Sequence, residues 1–238
     1  MLGQNPDQRF IQGMFNELAP RYDLFNRLTS MGMASFWRRE TLVPLRKGMR
    51  ILDLGCGTGD LALAAMKKLE GQGEVVGLDF SPRMLEFAAH RQRKMGWNGS
   101  YRIRWILKRA EELPIENEPY DLVVSGFVLR NIYENIGDIL QGVYRSLKRD
   151  GRISFLDITE PGNRAVKFLW EFYMSTFAEL YGKLLFGKAY PSYYLIDSAK
   201  RFLKPKEFSR KLEDAGFKEV KSKSFLFGVI TLYQAVKR

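Results

Sequence analysis

The feature that most constrains this chain is Asp53-Leu54-Gly55-Cys56-Gly57-Thr58-Gly59, set between the apolar run Arg50-Ile51-Leu52 and the helix-like Asp60-Leu61-Ala62-Leu63-Ala64-Ala65-Met66. The backbone must pass from strand to helix on glycines at alternate positions, which accept positive φ and let a ligand approach the main chain. A dinucleotide fingerprint spaces its glycines G-x-G-x-x-G and offers a helix N-terminus to a pyrophosphate. Here the spacing is G-x-G-x-G with Asp53 at the mouth, which repels phosphate and suits a cation. Asp79 closes the next apolar strand, at the position from which a carboxylate takes ribose hydroxyls. The expected ligand is a nucleoside without phosphates.

Composition removes several other chemistries. With 238 residues and 45% hydrophobic content the chain can bury a large core. No apolar run approaches the roughly 20 residues that span a bilayer, and residues 1–7 carry no basic segment followed by an apolar one. A cytoplasmic location is the expectation. A single cysteine, Cys56, excludes an internal disulfide, and with His90 as the one histidine no Cys/His metal site is expected. Cys56 reads as a small side chain packed beneath the ligand, and His90 as helix surface. The net charge of +11 is concentrated at the C-terminal end, where residues 164–238 hold 15 Lys and Arg against 7 Asp and Glu. Such a balance fits nucleic acid, an anionic membrane surface or plain solubility, and does not choose among them.

Short apolar runs alternate with helical stretches from residue 50 to about 158, the pattern of βαβ units in a parallel sheet. Strands are expected at 50–54, 74–79, 102–107, 120–125 and 152–158, and helices at 60–70, 82–95 and 135–148. Two more strands, 217–225 and 229–236, flank the turn Leu226-Phe227-Gly228 and should pair antiparallel. The fold class is α/β: a Rossmann-like, seven-stranded, mostly parallel sheet with the last strand antiparallel and helices on both faces. A single domain is expected, with a helical cap at 1–47, a core at 48–159, an acceptor-binding insertion at 160–204 and a final helix and strand pair at 205–238.

The glycine turn and Asp79 resemble the Rossmann-like S-adenosylmethionine-dependent methyltransferases, which implies S-adenosylmethionine as cofactor. More of the chain is similar to the ubiquinone/menaquinone biosynthesis C-methyltransferase family. The similarity runs through Phe15-Asn16-Glu17-Leu18-Ala19-Pro20-Arg21-Tyr22-Asp23-Leu24-Phe25-Asn26, then Phe36-Trp37-Arg38, Ala110-Glu111-Glu112-Leu113-Pro114 and Phe127-Val128-Leu129-Arg130-Asn131, to Ser192-Tyr193-Tyr194-Leu195-Ile196-Asp197-Ser198. The chain departs from the family pattern at Cys56, Arg109, Gly126, Val128, Asp197 and Ala199. The resemblance implies cofactor contacts at Asp53, Gly55, Gly57, Thr58, Gly59, Asp79, Phe80, Arg109, Ala110 and Gly126. It implies as acceptor a hydrophobic, quinol-like small molecule of the demethylmenaquinol or polyprenyl-benzoquinol type. Another lipid or small molecule is the alternative; RNA is disfavoured, because no basic tract interleaved with aromatics is present.

Methyl transfer from a sulfonium to carbon is an in-line displacement that chiefly needs alignment and exclusion of water. A quinol ring carbon becomes nucleophilic as its neighbouring hydroxyl loses a proton, so a cation beside that oxygen stabilises the developing phenolate. Arg130, at the C-terminal end of the fourth strand, is the candidate, with Asn131 orienting the hydroxyl and Tyr22 or Asp23 relaying the proton. The plainer alternative makes Arg130 a salt-bridge anchor and Tyr22 a packing residue. Residues 164–186 read as one aromatic, amphipathic helix with basic ends: ordinary core, a cover over the acceptor, or a helix lying at a membrane interface. Peripheral contact with the inner face of the membrane and a homodimer are both left open.

Overall fold

The computed structural model describes residues 8–97, 99–113 and 119–238. Seven strands form one sheet in the order β3-β2-β1-β4-β5-β7-β6. These are β1 (Arg50–Leu54), β2 (Glu74–Asp79), β3 (Arg102–Leu107), β4 (Tyr120–Gly126), β5 (Leu147–Ile158), β6 (Lys218–Phe225) and β7 (Ile230–Val236). Strands β1 to β5 pair in parallel, and β7 runs antiparallel to both β5 and β6. The expected strand content and polarity are therefore met. The position of β7 between β5 and β6 was not legible in the sequence, because a hairpin fixes which strands pair but not which of them docks on the sheet.

Strands β1, β2 and β4 are buried almost throughout, as a sheet covered on both faces requires. One cover consists of α6 (Ile136–Ser146) and α10 (Pro205–Asp214), which place Ile139, Leu140, Val143, Phe208 and Leu212 against the strands. The other is led by α4 (Asp60–Leu69), through Leu61, Ala62, Ala65, Met66 and Leu69. Between α4 and β3 runs α5 (Pro82–Lys94), whose start is fixed by Ser81: its Oγ accepts the Met84 N–H at 3.1 Å, and Pro82 supplies the preset φ of the first turn.

Two boundaries differ from expectation. Helix α6 ends at Ser146, and β5 begins five residues early, with Leu147 paired to Tyr120 before the register shifts. The helix expected over 164–186 is interrupted: α7 (Arg164–Tyr173) passes through a π-helical turn, Met174–Ala178, into α8 (Glu179–Phe186). Among the described residues three α-helices precede the sheet, α1 (Gln8–Leu18), α2 (Tyr22–Thr29) and α3 (Ala34–Thr41), and α9 (Tyr194–Arg201) follows α8. All lie over the C-terminal ends of the strands, where Trp37, Trp170, Ile196 and Ala199 pack on Leu156, Ile158, Ile230 and Leu232. Strand order reverses between β1 and β4, and open α/β sheets bind ligands at that switch point.

Candidate active site

Backbone N–H groups of Gly55 and Cys56 both donate to Leu78 O, at 2.8 and 3.0 Å, binding the glycine turn to the end of β2. Asp79 completes the arrangement: one oxygen accepts Gly57 N–H at 2.8 Å and the other Ser81 N–H at 2.9 Å. A cavity opens above this turn, lined among others by Asp53, Gly55, Gly57, Thr58, Asp79 and Phe80, with Arg109, Ala110 and Gly126 along its sides. Of the ten expected cofactor residues, Gly59 is the exception. It caps α4 at φ +84°, and a Cβ there would meet the Trp105 ring at 2.9 Å, so packing beneath the turn requires the glycine. Pro114 of the expected adenine-flanking stretch and residues 1–7 lie outside the described residues.

The electrostatics fit a cationic ligand. Burial drives the Asp53 carboxyl up to about 7, against a lowering by the Ala62 N–H, and its Oδ2 has no hydrogen-bond partner. Asp79 is likewise pushed up by burial, to about 6, although three backbone N–H groups pull it down. Buried carboxylates near neutrality and one orphaned oxygen are what a desolvated site holds ready for a positive charge. A positively charged group answers the Asp53 carboxylate, and Asp79 keeps lone pairs free for hydroxyl donors. Gly57, at φ +53° and with nothing within 4 Å of a would-be Cβ, leaves the floor open, whereas Gly55 is closed on its other side by Val128. Burial, with Asp79 and Asp53 nearby, raises the Cys56 thiol well up, so it is an inert wall.

Gly126 offers a direct check on the cavity. A Cβ there would come no nearer than 3.8 Å to Leu61 and needs no positive φ. Gly126→Ala should therefore leave the melting temperature within a degree or two while weakening S-adenosylhomocysteine binding about tenfold, read by calorimetry. Unchanged affinity would place the ligand elsewhere.

A second, apolar cavity of about 390 Å³ adjoins the first. Phe15, Tyr22 and Phe127 line both, so they form the wall between them. Phe127 holds φ +66°, a strained conformation for an aromatic residue, secured by its N–H to Leu156 O at 2.7 Å. Arg130 lines the apolar cavity and Asn131 the cofactor cavity. Arg130 is 4% exposed; its Nη1 donates to Asp157 Oδ1 and to Phe127 O, both at 2.7 Å. The salt-bridge anchor weighed for Arg130 is thus present, and it fixes the guanidinium in the cavity wall. Burial raises the Tyr22 phenol, with Arg130 and the Asn26 side chain opposing, so Tyr22 stays a neutral donor. Asp23 faces away from the acceptor: its oxygens take Thr58 Oγ1 at 2.5 Å and Arg91 Nη1 at 2.9 Å, tying α2 to the glycine turn.

Three site residues went unassigned in the sequence. Asp157, fully buried at the end of β5, had the signal that marked Asp79, an acid closing an apolar strand. Tyr194, whose hydroxyl donates to Asn131 Oδ1 at 3.0 Å, lay in a motif already noted but without a stated role. Phe15 carried only its hydrophobicity.

Sheet order, acidic glycine turn and the paired cavities define a Rossmann-like, S-adenosylmethionine-dependent methyltransferase. Residues 3–237 match the model of the ubiE/COQ5 methyltransferase family, and the chain belongs to that family. It is 34% identical over 231 residues to a demethylmenaquinone methyltransferase of Lactiplantibacillus plantarum, covering 95% of each chain. It is 32% identical to the ubiquinone/menaquinone biosynthesis C-methyltransferase UbiE of Citrifermentans bemidjiense, over 95% of this chain and 96% of that one. Among solved structures, a SAM-dependent methyltransferase of Aquifex aeolicus shares the fold at a TM-score of 0.62 and 17% identity, with 87% of this chain and 92% of that one covered.

Proposed function

We propose that this enzyme methylates a ring carbon of a prenylated quinol precursor, of the demethylmenaquinol or polyprenyl-benzoquinol type. The observation that carries the reading is the apolar cavity set against the cofactor cavity across Phe15, Tyr22 and Phe127, with one buried cation, Arg130, in its wall. The names of the relatives supply the same substrate class. The cofactor, when bound over Asp53, Gly57 and Asp79, supplies an electrophilic methyl on a sulfonium. Arg130 stabilises the quinol oxygen as it loses its proton, and Asp157 keeps the guanidinium aimed. Tyr22 donates a hydrogen bond to that oxygen or passes its proton outward; as the carbon–carbon bond forms and the methyl–sulfur bond breaks, the methylated ring carbon gives up its hydrogen as a proton and the ring regains aromaticity. Asn131, held by Tyr194, offers its amide N–H groups to the same ring. The aromatic wall excludes water from the line of transfer.

The 160–204 segment acts in this reading as the acceptor cover. Val166, Leu169, Trp170 and Tyr173 line the apolar cavity, while Phe168, Phe172, Phe177, Leu180 and Leu184 point outward, 42–72% exposed. The π turn keeps Phe177 near the line of Phe168 and Phe172, because five residues there span little more than one turn. Together with Met31 and Phe227, at 71% and 87% exposure near the cavity mouth, these side chains suit a protein that sits peripherally on the inner face of the membrane and takes its prenylated substrate from there. No helix among the described residues is long and apolar enough to cross a bilayer.

Purified protein with methyl-labelled S-adenosylmethionine should transfer label to a short-chain demethylmenaquinol or benzoquinol and not to total RNA. Label in RNA alone would overturn the acceptor. In flotation at low salt the protein should rise with anionic phosphatidylglycerol vesicles, and Phe168→Ser/Phe172→Ser should stay below with turnover of the short-chain quinol intact. Failure of the wild type to float removes the membrane contact and leaves the chemistry.

A further inference from the structure

We propose that Arg38 binds the α-carboxylate at the amino-acid end of the cofactor, so that Arg38 and Asp53 together recognise a zwitterion. The inference rests on the methyltransferase reading of the cavity and deepens it. The cavity has two chemically distinct ends. Asp79 at the end of β2, with Arg109 and Ala110 after β3, marks the nucleoside end; the glycine turn and residues 126–128 at the end of β4 mark the other. An amino-acid group at that second end needs an anion for its ammonium and a cation for its carboxylate. Asp53 supplies the anion, with its buried and unpartnered Oδ2.

Three cationic side chains line the cavity: Lys108, Arg109 and Arg38. Lys108 and Arg109 follow β3, at the nucleoside end. Arg38 comes from α3 and reaches the glycine turn from above. Its Nη1 stands 2.9 Å from Asp60 Oδ2, and its guanidinium carbon lies 5.7 Å from the centre of the Phe127 ring. The side chain is only 16% exposed. It lies near enough to Asp53 for its charge to favour the ionised carboxylate there. A guanidinium has five N–H donors in a planar fork, so one carboxylate partner leaves donors for a second. The N-terminus of α4 is a poor rival for the carboxylate, because Asp60 already occupies its first turn.

The test uses two ligands that differ only in the carboxylate: S-adenosylhomocysteine and its decarboxylated analogue, S-adenosyl-3-thiopropylamine. By calorimetry, wild-type protein should prefer the first by about tenfold or more, the range of one charge-assisted, partly desolvated pair. Arg38→Met should weaken S-adenosylhomocysteine to the level of the analogue and leave the analogue unchanged. Arg38→Lys should fall between, and melting curves without ligand report whether each variant is folded. Equal binding of both compounds by the wild type overturns the proposal, whatever the variants do. A parallel loss for both ligands in Arg38→Met also overturns it, since that is the signature of a displaced cap. Wild-type protein that binds neither compound overturns the cofactor reading and the proposal with it.

Discussion

Arg130→Met should destabilise the fold by about 3–5 kcal/mol, Asp157→Leu by a similar amount, and the double variant by less than either. The pair is almost wholly out of water, with side-chain exposures of 4% and 0%. Asp157 accepts three N–H groups, from Arg130 Nη1, the Arg130 main chain and Ile158. Removing one partner therefore strands a charge that is almost wholly buried. Removing both returns the cost of two desolvated ions, at the residual expense of the orphaned Arg130 main-chain N–H. Urea unfolding followed by circular dichroism gives the cycle, and additive losses would mean that the pair contributes no coupling. The double variant also separates structure from chemistry. Folded and able to bind S-adenosylhomocysteine, it should still have lost methyl transfer by a factor of about 100 or more if the guanidinium stabilises the quinol oxygen. Retained turnover would leave Arg130 as an anchor alone.

Cofactor affinity should rise with pH through about 7, and Asp53→Asn should remove most of that dependence while weakening binding about 100-fold. Asp53 has its folded value at about 7 and Asp79 at about 6, both raised first by burial. A ligand carrying positive charge binds the ionised carboxylates, so acidification through these values weakens it, and binding near pH 6 releases protons that calorimetry in buffers of different ionisation enthalpy will count. The sign for stability is the reverse. A carboxyl raised above its unfolded value of about 3.9 binds its proton more tightly in the folded protein. Its contribution is fully present below that value and is lost as pH rises through about 7. The ligand-free protein should thus melt lower at pH 8 than at pH 6, and Asp53→Asn should melt above wild type at pH 8, by up to about 4 kcal/mol in unfolding free energy. An Asp53→Asn protein that is less stable than wild type at pH 8 would show that the carboxylate is paired within the fold rather than held for a ligand.

Much of the site was legible because it is local. The turn from β1 into α4 is written in seven consecutive residues, and Asp79 ends its strand by the same rule that places any residue at a sheet edge. Periodicity gave the five parallel strands because burial on both faces leaves near-continuous apolar runs. It missed the π turn in 164–186, because the spacing of five between Phe172 and Phe177 lies within the scatter of a 3.6-residue pattern and only the hydrogen-bond partners mark the wider turn. At Gly59 the spacing shows that a glycine is required but not that the Trp105 ring fills the room a side chain would take.

The amino-acid sequence alone determined the strands and their polarity, the acidic glycine turn and hence the cofactor class; the strand order, and with it the switch point, came from the structure. The strands and the turn depend on residues adjacent in the chain and on alternation that the backbone converts directly into sidedness. Only the tertiary structure decided that Tyr22, Arg130 and Tyr194 share one cavity wall, that Asp157 holds Arg130, and that Arg38 leans over the glycine turn. Those contacts join segments far apart in sequence. They arise from how the caps at 8–41 and 160–204 pack over the ends of the strands, a docking set by summed apolar burial that no local pattern encodes.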